Sequence, residues 1–367
     1  MAAPPTIPKR PPFSTLPLKP DGPPGNAWGL YGPDDALGAL NLLTPAVVAA
    51  AAREEIRTGD RVSLDWSLDK PSHPSFDRPP FGWELKNRTQ PNGEPRTVND
   101  DSLNFNTQCS SQWDGFRHYG KSISTHIFLV EMEKANGNLG YQKAKKYYGG
   151  HSQDDLKDPS VIGIDAWVEK GGIVSRGVLL DYVSFCTRHA LPLEPLTSSS
   201  IPLAHLKQMA LEQELTFRDG DILFIRSGFT ATYEKLNSSE QRAVAERPQP
   251  DFVGVEASLE VLKWIWESGF AAVAGDAPSF ERAPIAGPHT AVGKAWKGES
   301  WEEEMQGGGL LHQWLLGGWG LPIGEMFDLE ALAKKCDELG RWSFFVSSVP
   351  LKVPGGVASP PNAVAIF

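Results

Sequence analysis

Hydrophobic residues recur along the chain at the two spacings that are typical of strands and helices. Val62, Leu64, Trp66 and Leu68 alternate with other residues, which predicts a half-buried strand over residues 61–68. Short apolar runs predict further buried strands at residues 177–182, 221–226, 270–275 and 342–349.

Helical signals fall between these runs. Thr44 is a suitable N-cap and Pro45 a suitable first helical residue, so we expect a helix that continues to about Arg57. Further helices are predicted at residues 202–215, at 256–268 before Gly269, and from a cap at Asp328 to Leu339 before Gly340. Because strands and helices interleave, the pattern favours an α/β fold with a mixed sheet in one domain.

Two segments lack this periodicity. Residues 1–26 are rich in proline and are interpreted as an extended arm, laid over the surface or over a partner subunit, so that residues 27–367 form the domain. Residues 70–118 are dense in Pro, Asn, Asp and Gly and are predicted to be loop.

Composition narrows the class of protein. The 367 residues carry 35 basic and 45 acidic side chains, a net charge of −10, which argues against a nucleic-acid partner and gives no support for docking to an anionic membrane. Twelve Trp and 17 Phe exclude a disordered chain, and three cysteines are too few for a disulfide framework. No apolar stretch is long enough to span a bilayer and no secretory signal is evident, so we expect a cytoplasmic protein.

The densest polar segment spans residues 106–118. Gln108, Gln112, Asp114 and His118 lie at spacings that a helix or a tight turn would direct toward one point. A carboxylate and an imidazole placed together can bind a divalent metal or act as an acid/base pair. The alternative is a polar loop whose side chains satisfy its own backbone.

Other candidates lie later in the chain. His312 is in a short apolar helix and Glu325 follows a glycine-rich turn, while Asp276 ends a predicted strand, where α/β proteins often place functional groups. A core histidine and a turn-forming aspartate are the alternatives. Trp113 and Trp319, together with Trp314, suggest an aromatic pocket for a planar substrate, although core packing explains them equally well.

These segments, in this order, resemble the metal-dependent hydrolase family often labelled cyclase, which includes kynurenine formamidase and isatin hydrolase. The hallmark of that family, His-x-Gly-Thr-His-x-Asp-x-Pro-x-His, corresponds to residues 108–118. Asp114 and His118 match it, whereas Gln108 and Gln112 stand at the positions of the two metal-binding histidines.

The resemblance implies a compact α/β domain with a barrel-like mixed sheet, in a homo-oligomer of two or four chains. It also implies a metal site formed by Asp114, His312 and Glu325, with Gln108 and Gln112 beside them. Mn²⁺ or Zn²⁺ is expected, with Mg²⁺ as a further candidate, because an amide oxygen is a weaker ligand for Zn²⁺ than imidazole and suits harder ions.

The activity implied is hydrolysis of a C–N or C–O acyl bond in an amide, imide or lactone, on a small substrate that is aromatic or cyclic. His118 would be the catalytic base, Asp114 would orient the metal, and Trp113, Trp319 and Asp276 would contact the substrate. Two alternatives remain open: a metal-independent cyclase or dehydratase of secondary metabolism that uses His118 as acid/base, and a degenerate member that only binds a small ligand.

One segment departs from the family pattern. Residues 121–140 separate His118 from the Tyr-Gly-Gly sequence that follows closely in family members. We interpret these residues as an insertion or a retained intron that contributes no ligand.

Overall fold

The computed structural model describes residues 8–23, 25–76, 78–119, 145–248, 251–283 and 311–367. The predicted insertion at residues 121–140 lies outside the described residues. Within them the strands are β1 (Arg61–Ser63), β2 (Gly82–Thr89), β3 (Pro95–Asn104), β4 (Gln112–Asp114), β5 (Ile173–Asp181), β6 (Ser200–Ile201), β7 (Ile222–Arg226), β8 (Gly254–Val255), β9 (Ala272–Gly275), β10 (Ile323–Glu325), β11 (Ser343–Ser348), β12 (Ala358–Ser359) and β13 (Ala363–Ile366).

Nine of these strands form one mixed sheet in the order β1-β13-β11-β5-β7-β9-β10-β4-β12, which curls into half a barrel. The four strands β5, β7, β9 and β10 run parallel, and the strands on either side of them pair antiparallel. The central strands are nearly continuous apolar runs because both of their faces are covered. The expected α/β domain with a barrel-like mixed sheet is therefore confirmed.

The α-helices of the described residues cover this sheet. They are α1 (Pro45–Glu55), α2 (Asp165–Glu169), α3 (Tyr182–Arg188), α4 (Leu203–Glu212), α5 (Phe229–Tyr233), α6 (Ser238–Ala245), α7 (Leu259–Glu267) and α8 (Glu330–Leu339). A π-helix spans Gln313–Trp319, and 3₁₀ turns occupy Phe13–Thr15, Gly38–Leu42, Tyr148–Gly150 and Asp155–Lys157. None of the helices in the described part of the chain has the length and apolar character to cross a bilayer.

Capping residues locate α1 as predicted and α8 to within one residue. The Thr44 hydroxyl accepts a hydrogen bond from the backbone N–H of Val47, with Pro45 at the first position of α1. The predicted cap Asp328 accepts one from the N–H of Glu330, but Leu329 occupies the N-cap position of α8, and Gly340 ends that helix in the left-handed conformation. These local contacts satisfy backbone groups that a helix end leaves unpaired.

Two expectations for residues 61–118 are wrong. The predicted strand over residues 61–68 pairs with β13 only as far as Ser63, and the chain then leaves the sheet, although Leu64 and Trp66 are buried as the alternation required. Residues 70–118 are not all loop, because β2 and β3 form a two-stranded ribbon and β4 joins the main sheet. The ribbon was missed because its apolar alternation is short, at Phe81, Trp83 and Leu85, and is followed by a polar stretch, and because residues 83–104 are exposed on both faces.

The described part of the proline-rich arm lies against the domain of its own chain. The Arg10 guanidinium donates to the carbonyl of Phe270, and the Trp266 indole donates to the carbonyl of Pro11. Phe13 packs against Trp314 and Trp319. This segment therefore covers one end of α7 and β9.

Candidate active site

Strand pairing brings two distant segments of the chain together. β4 runs antiparallel to β10, with Gln112 opposite Glu325 and Asp114 opposite Ile323. Side chains alternate between the two faces of a strand, so Gln112 and Asp114 share one face with Glu325. The backbone of β10 can lie close to the ring of Phe327 because residue 324 is glycine. A Cβ at this position would lie 2.6 Å from that ring.

Asp114, His312 and Glu325 form a buried cluster on this face. The atoms that each could offer to a metal all lie within 4.8 Å of one another. His312 Nε2 is 2.9 Å from Glu325 Oε1 and 3.6 Å from Asp114 Oδ2. The structure thus brings together the three residues for which the resemblance implied a metal site.

Glu281 holds His312 in position. Its carboxylate is buried and was not predicted from the sequence. Glu281 Oε2 lies 2.6 Å from Nδ1 of His312, and Glu281 Oε1 accepts a hydrogen bond from the backbone N–H of the same residue. Histidines that bind metals commonly donate their second N–H to such a carboxylate, which fixes the tautomer. Its sequence neighbours, Phe280 and Arg282, form no pattern that could have signalled this role.

The two glutamines lie within the cluster. Gln112 Nε2 is 2.8 Å from Gln108 Oε1, 2.9 Å from Glu325 Oε2 and 3.3 Å from Asp114 Oδ1. One amide nitrogen therefore lies among three acceptor oxygens. The predicted convergence of these side chains occurs. Gln112 and Asp114 lie on β4, whereas Gln108 lies in the turn before this strand and His118 in the turn after it.

His118 lies at the edge of the cluster, with Nε2 3.8 Å from Asp114 Oδ2 and 22 % of its side chain exposed. Burial lowers the pKa of His118 to about 4, because the cost of charging a buried imidazole outweighs the attraction of the Asp114 carboxylate. The imidazole is therefore neutral near pH 7 and has a nitrogen lone pair that can accept a proton.

Charge is concentrated in the cluster. Burial and the neighbouring Asp114 carboxylate raise the pKa of Glu325 to about 7. Burial acts to lower the pKa of His312, but the charge of Glu281 and the hydrogen bonds to the surrounding carboxylates raise it well above its usual value. The protonated His312 supplies one positive charge to these buried acids, and a divalent cation would supply a larger one.

The donor set suits a divalent cation. Asp114 Oδ2 and Gln112 Oε1 are buried and have no hydrogen-bond partner among the described residues. If the Gln112 amide rotated, its oxygen would face the oxygens of Gln108, Asp114 and Glu325, an arrangement that only a positive charge between them makes favourable. Carboxylate and amide oxygens with one imidazole are ligands for Mn²⁺, Zn²⁺ or Mg²⁺.

The three residues expected to contact substrate lie elsewhere. Trp113 projects from the opposite face of β4, where its indole donates to Ser348 Oγ and packs on Phe327. Trp319 is buried against Trp266. Asp276 accepts hydrogen bonds from Ser227 and Gly228. Their positions give no support to a role in substrate binding, because packing and backbone contacts account for all three.

Comparisons with known proteins place the chain in a family. The model of the Cyclase family matches residues 62–282, more than half of the chain, a stretch that contains Asp114 and His118 and ends before His312. No curated protein matches the chain.

Solved structures share the fold. One described as a novel cyclase superposes with a TM-score of 0.71 at 27% identity, over 93% of this chain and 99% of that one. An isatin hydrolase bound to the product analogue thioisatinate gives 0.52 at 11% identity, over 90% and 97%. Isatin hydrolase A from Ralstonia solanacearum gives 0.50 at 15%, over 88% and 97%. This chain belongs to the Cyclase family.

Proposed function

We propose that this protein is a hydrolase that uses a divalent metal ion to cleave a C–N or C–O acyl bond in a small aromatic or cyclic amide, imide or lactone. The observation that carries the proposal is the buried group of Asp114, His312 and Glu325 with a neutral histidine, His118, directly beside it. Acid/base and metal-ligating groups rarely share a buried site without a chemical role.

Asp114, His312 and Glu325 would hold the ion, with the amide oxygens of Gln108 and Gln112 as additional ligands. A bound divalent ion polarises a carbonyl and lowers the pKa of water. Glu281 keeps the His312 ring in place through its Nδ1 hydrogen bond, and so leaves Nε2 directed at the carboxylates of Asp114 and Glu325.

His118 would move the proton. Its neutral imidazole takes a proton from the attacking water and returns it to the leaving nitrogen or oxygen. The hydroxyl of that water joins the acyl carbon, the bond to the leaving atom breaks, and the products are a carboxylic acid and an amine or alcohol. Asp114, 3.8 Å from His118 Nε2, stabilises the imidazolium that forms in between.

The test is turnover with controlled metal content. Protein stripped with a chelator and reloaded with Mn²⁺, Zn²⁺ or Mg²⁺ would be assayed on aryl amides, cyclic imides, aryl lactones and isatin, the compound named in the similar isatin hydrolases. We expect turnover only in the loaded protein, and loss of both metal and turnover in Asp114→Asn. The matched control is Glu55→Gln, which changes a buried acid that is paired with Arg341.

Other results would favour the alternatives. Turnover that persists without metal and is lost in His118→Ala would support a metal-independent cyclase or dehydratase. Ligand binding with no turnover under any condition would support a member that only binds. Assembly into dimers or tetramers stays a proposal that sedimentation can test.

A further inference from the structure

The π-helix at Gln313–Trp319 begins directly after His312, which is its N-cap residue. The backbone of His312 is itself helical, with φ of −49° and ψ of −41°. The π-helix therefore continues from His312 without a break, and the direction of the imidazole depends on where this helix lies. Such helices are rare and occur mostly at functional sites.

The C-terminal end of the π-helix lacks donors of its own. The last carbonyls of any helix have no partner within it. Here the N–H groups of Gly320 and Leu321 bond to carbonyls earlier in the helix, and Pro322, which comes next, has no N–H. The carbonyls of Gly317 and Gly318 therefore need donors from another part of the chain.

A segment near the N-terminus supplies these donors. The Trp28 indole donates from Nε1 to the carbonyl of Gly317 at 2.8 Å, and the backbone N–H of Ala27 donates to the carbonyl of Gly318 at 2.9 Å. Both Trp28 and Ala27 are buried. These two residues thus act as a C-cap for a helix that lies 289 residues later in the chain.

Two further hydrogen bonds join the same segments. The Trp319 indole donates in the opposite direction, to the carbonyl of Gly25 at 3.0 Å. The N–H of Ala39 donates to the carbonyl of Gly320 at 2.7 Å. This approach requires glycine at residue 38, because a Cβ there would overlap with the Gly320 carbonyl. The end of the π-helix is therefore held from several sides.

We infer that Trp28 is a positioning residue of the proposed metal site, whose indole N–H fixes the end of the π-helix and thereby the direction of His312. The inference rests on the proposed function, in which His312 is a metal ligand, and extends it to a residue that does not touch the ion. Histidine ligands depend on such outer contacts for their orientation. Glu281 holds the ring of His312, and Trp28 holds the helix that continues from its backbone.

A merely structural role for the indole makes a different prediction. Trp28→Phe removes the N–H and keeps an aromatic ring. If the hydrogen bond only stabilised the fold, this substitution would lower the melting temperature and leave both the His312 ring and the metal affinity unchanged. The positioning role predicts that both change at temperatures where the protein is fully folded.

Trp266→Phe is the matched control. The Trp266 indole also donates to a backbone carbonyl at 2.8 Å, that of Pro11, and its side chain is equally buried, but neither residue belongs to the π-helix. The substitution therefore removes the same kind of hydrogen bond and leaves the end of the π-helix capped.

The first measurement uses metal-free protein. Chelator-treated full-length protein labelled with ¹⁵N-histidine would be studied by NMR, and the His312 signal identified by its absence in His312→Gln. The Nδ1 proton of His312 faces the buried Glu281 carboxylate, so it exchanges with water only when the structure opens locally. We expect exchange roughly tenfold faster in Trp28→Phe and unchanged in Trp266→Phe.

The second measurement is titration of the same proteins with Co²⁺, whose visible absorption depends on the geometry of its ligands. Trp28→Phe should bind Co²⁺ about tenfold more weakly than wild type, with an altered spectrum. Trp266→Phe should keep the wild-type affinity and spectrum.

The results separate this inference from the proposed function. Wild-type proton exchange and Co²⁺ affinity in Trp28→Phe, or equal changes in Trp266→Phe, overturn the positioning role. Absence of Co²⁺ binding in wild type contradicts the proposed function, whereas the proton exchange still decides whether Trp28 positions His312. Should Trp28→Phe fail to fold, Trp319→Phe, which removes the hydrogen bond to Gly25, decides by the same two measurements.

Discussion

The carboxylate of Glu281 lies 2.6 Å from Nδ1 of His312, and both side chains are buried. This contact fixes the imidazole so that Nε2 faces Asp114 and Glu325. We expect Glu281→Gln to weaken the affinity for Mn²⁺ or Zn²⁺ about 10- to 100-fold, the usual effect of removing such an orienting partner. Titration against a competing chelator measures it.

Glu55→Gln provides the control for that measurement, because Glu55 is an equally buried acid bonded to Arg341 and Ser343. Its loss should lower the stability and leave the metal affinity unchanged. Equal effects of the two substitutions on metal affinity would contradict the role assigned to Glu281.

Gln112→His should raise the affinity for Zn²⁺ at least tenfold, which is about 1.4 kcal/mol. The substitution exchanges an amide, whose nitrogen now donates to Glu325 Oε2, for an imidazole, a better ligand for Zn²⁺. Gln213→His, at a buried glutamine outside the cluster, is the control. Unchanged Zn²⁺ affinity would show that residue 112 does not reach the ion.

His118→Ala should reduce kcat roughly 10²- to 10⁴-fold, the contribution expected of a general base. Its melting temperature should change little, because the side chain lies at the edge of the cluster and is 22% exposed. Steady-state kinetics and thermal unfolding of the same preparation test both statements. Full activity in this variant would remove the proposed proton transfer and leave the family assignment intact.

Asp276 should make stability depend on pH. Burial raises its pKa to about 6, against hydrogen bonds from Ser227 and Gly228 that act to lower it, whereas an unfolded aspartate has a pKa of about 3.9. Between these values the folded chain binds more protons than the unfolded chain. The contribution of Asp276 to the free energy of unfolding therefore falls by about 2 kcal/mol as the pH rises from about 4 to 6, and by about 3 kcal/mol over the whole titration.

Asp276→Asn cannot titrate and isolates this effect. Denaturant unfolding of both proteins at pH 4, 5, 6 and 7 should give a difference that shrinks or reverses as the pH rises. Parallel pH curves would show that Asp276 keeps an ordinary pKa in the folded protein.

Local signals in the sequence were sufficient for most elements of the sheet and its helices. Thr44 and Pro45 located α1, and Asp328 and Gly340 located α8, because capping is decided by residues within one turn. The ribbon of β2 and β3 has weaker signals, a short alternation at Trp83 and Leu85 and a turn sequence at Pro91-Asn92-Gly93. Both of its faces are exposed, so most cross-strand pairs, such as Lys86 with Asp100, are polar.

The site was predictable only in part. Asp114, His312 and Glu325 were selected through the family resemblance, but nothing local could show that Gln112 would face Glu325, since strand pairing across 213 residues brings them together. Glu281 was not predicted because Phe280-Glu281-Arg282 forms no recognisable pattern, and its role depends on His312, which lies 31 residues later in the chain.

The pairing of β4 with β10 also determines when the proposed metal site can form. Ligands that are drawn from strands so far apart in the chain are assembled only after most of the sheet has closed, since non-local contacts form late in folding. An ion should then be captured by the finished protein and not guide its folding. Added Mn²⁺ or Zn²⁺ is expected to leave the refolding rate unchanged and to slow unfolding, because it stabilises contacts that are absent from the transition state. Stopped-flow refolding and unfolding, with and without the ion, would distinguish an ion that binds only after folding from an ion that guides folding.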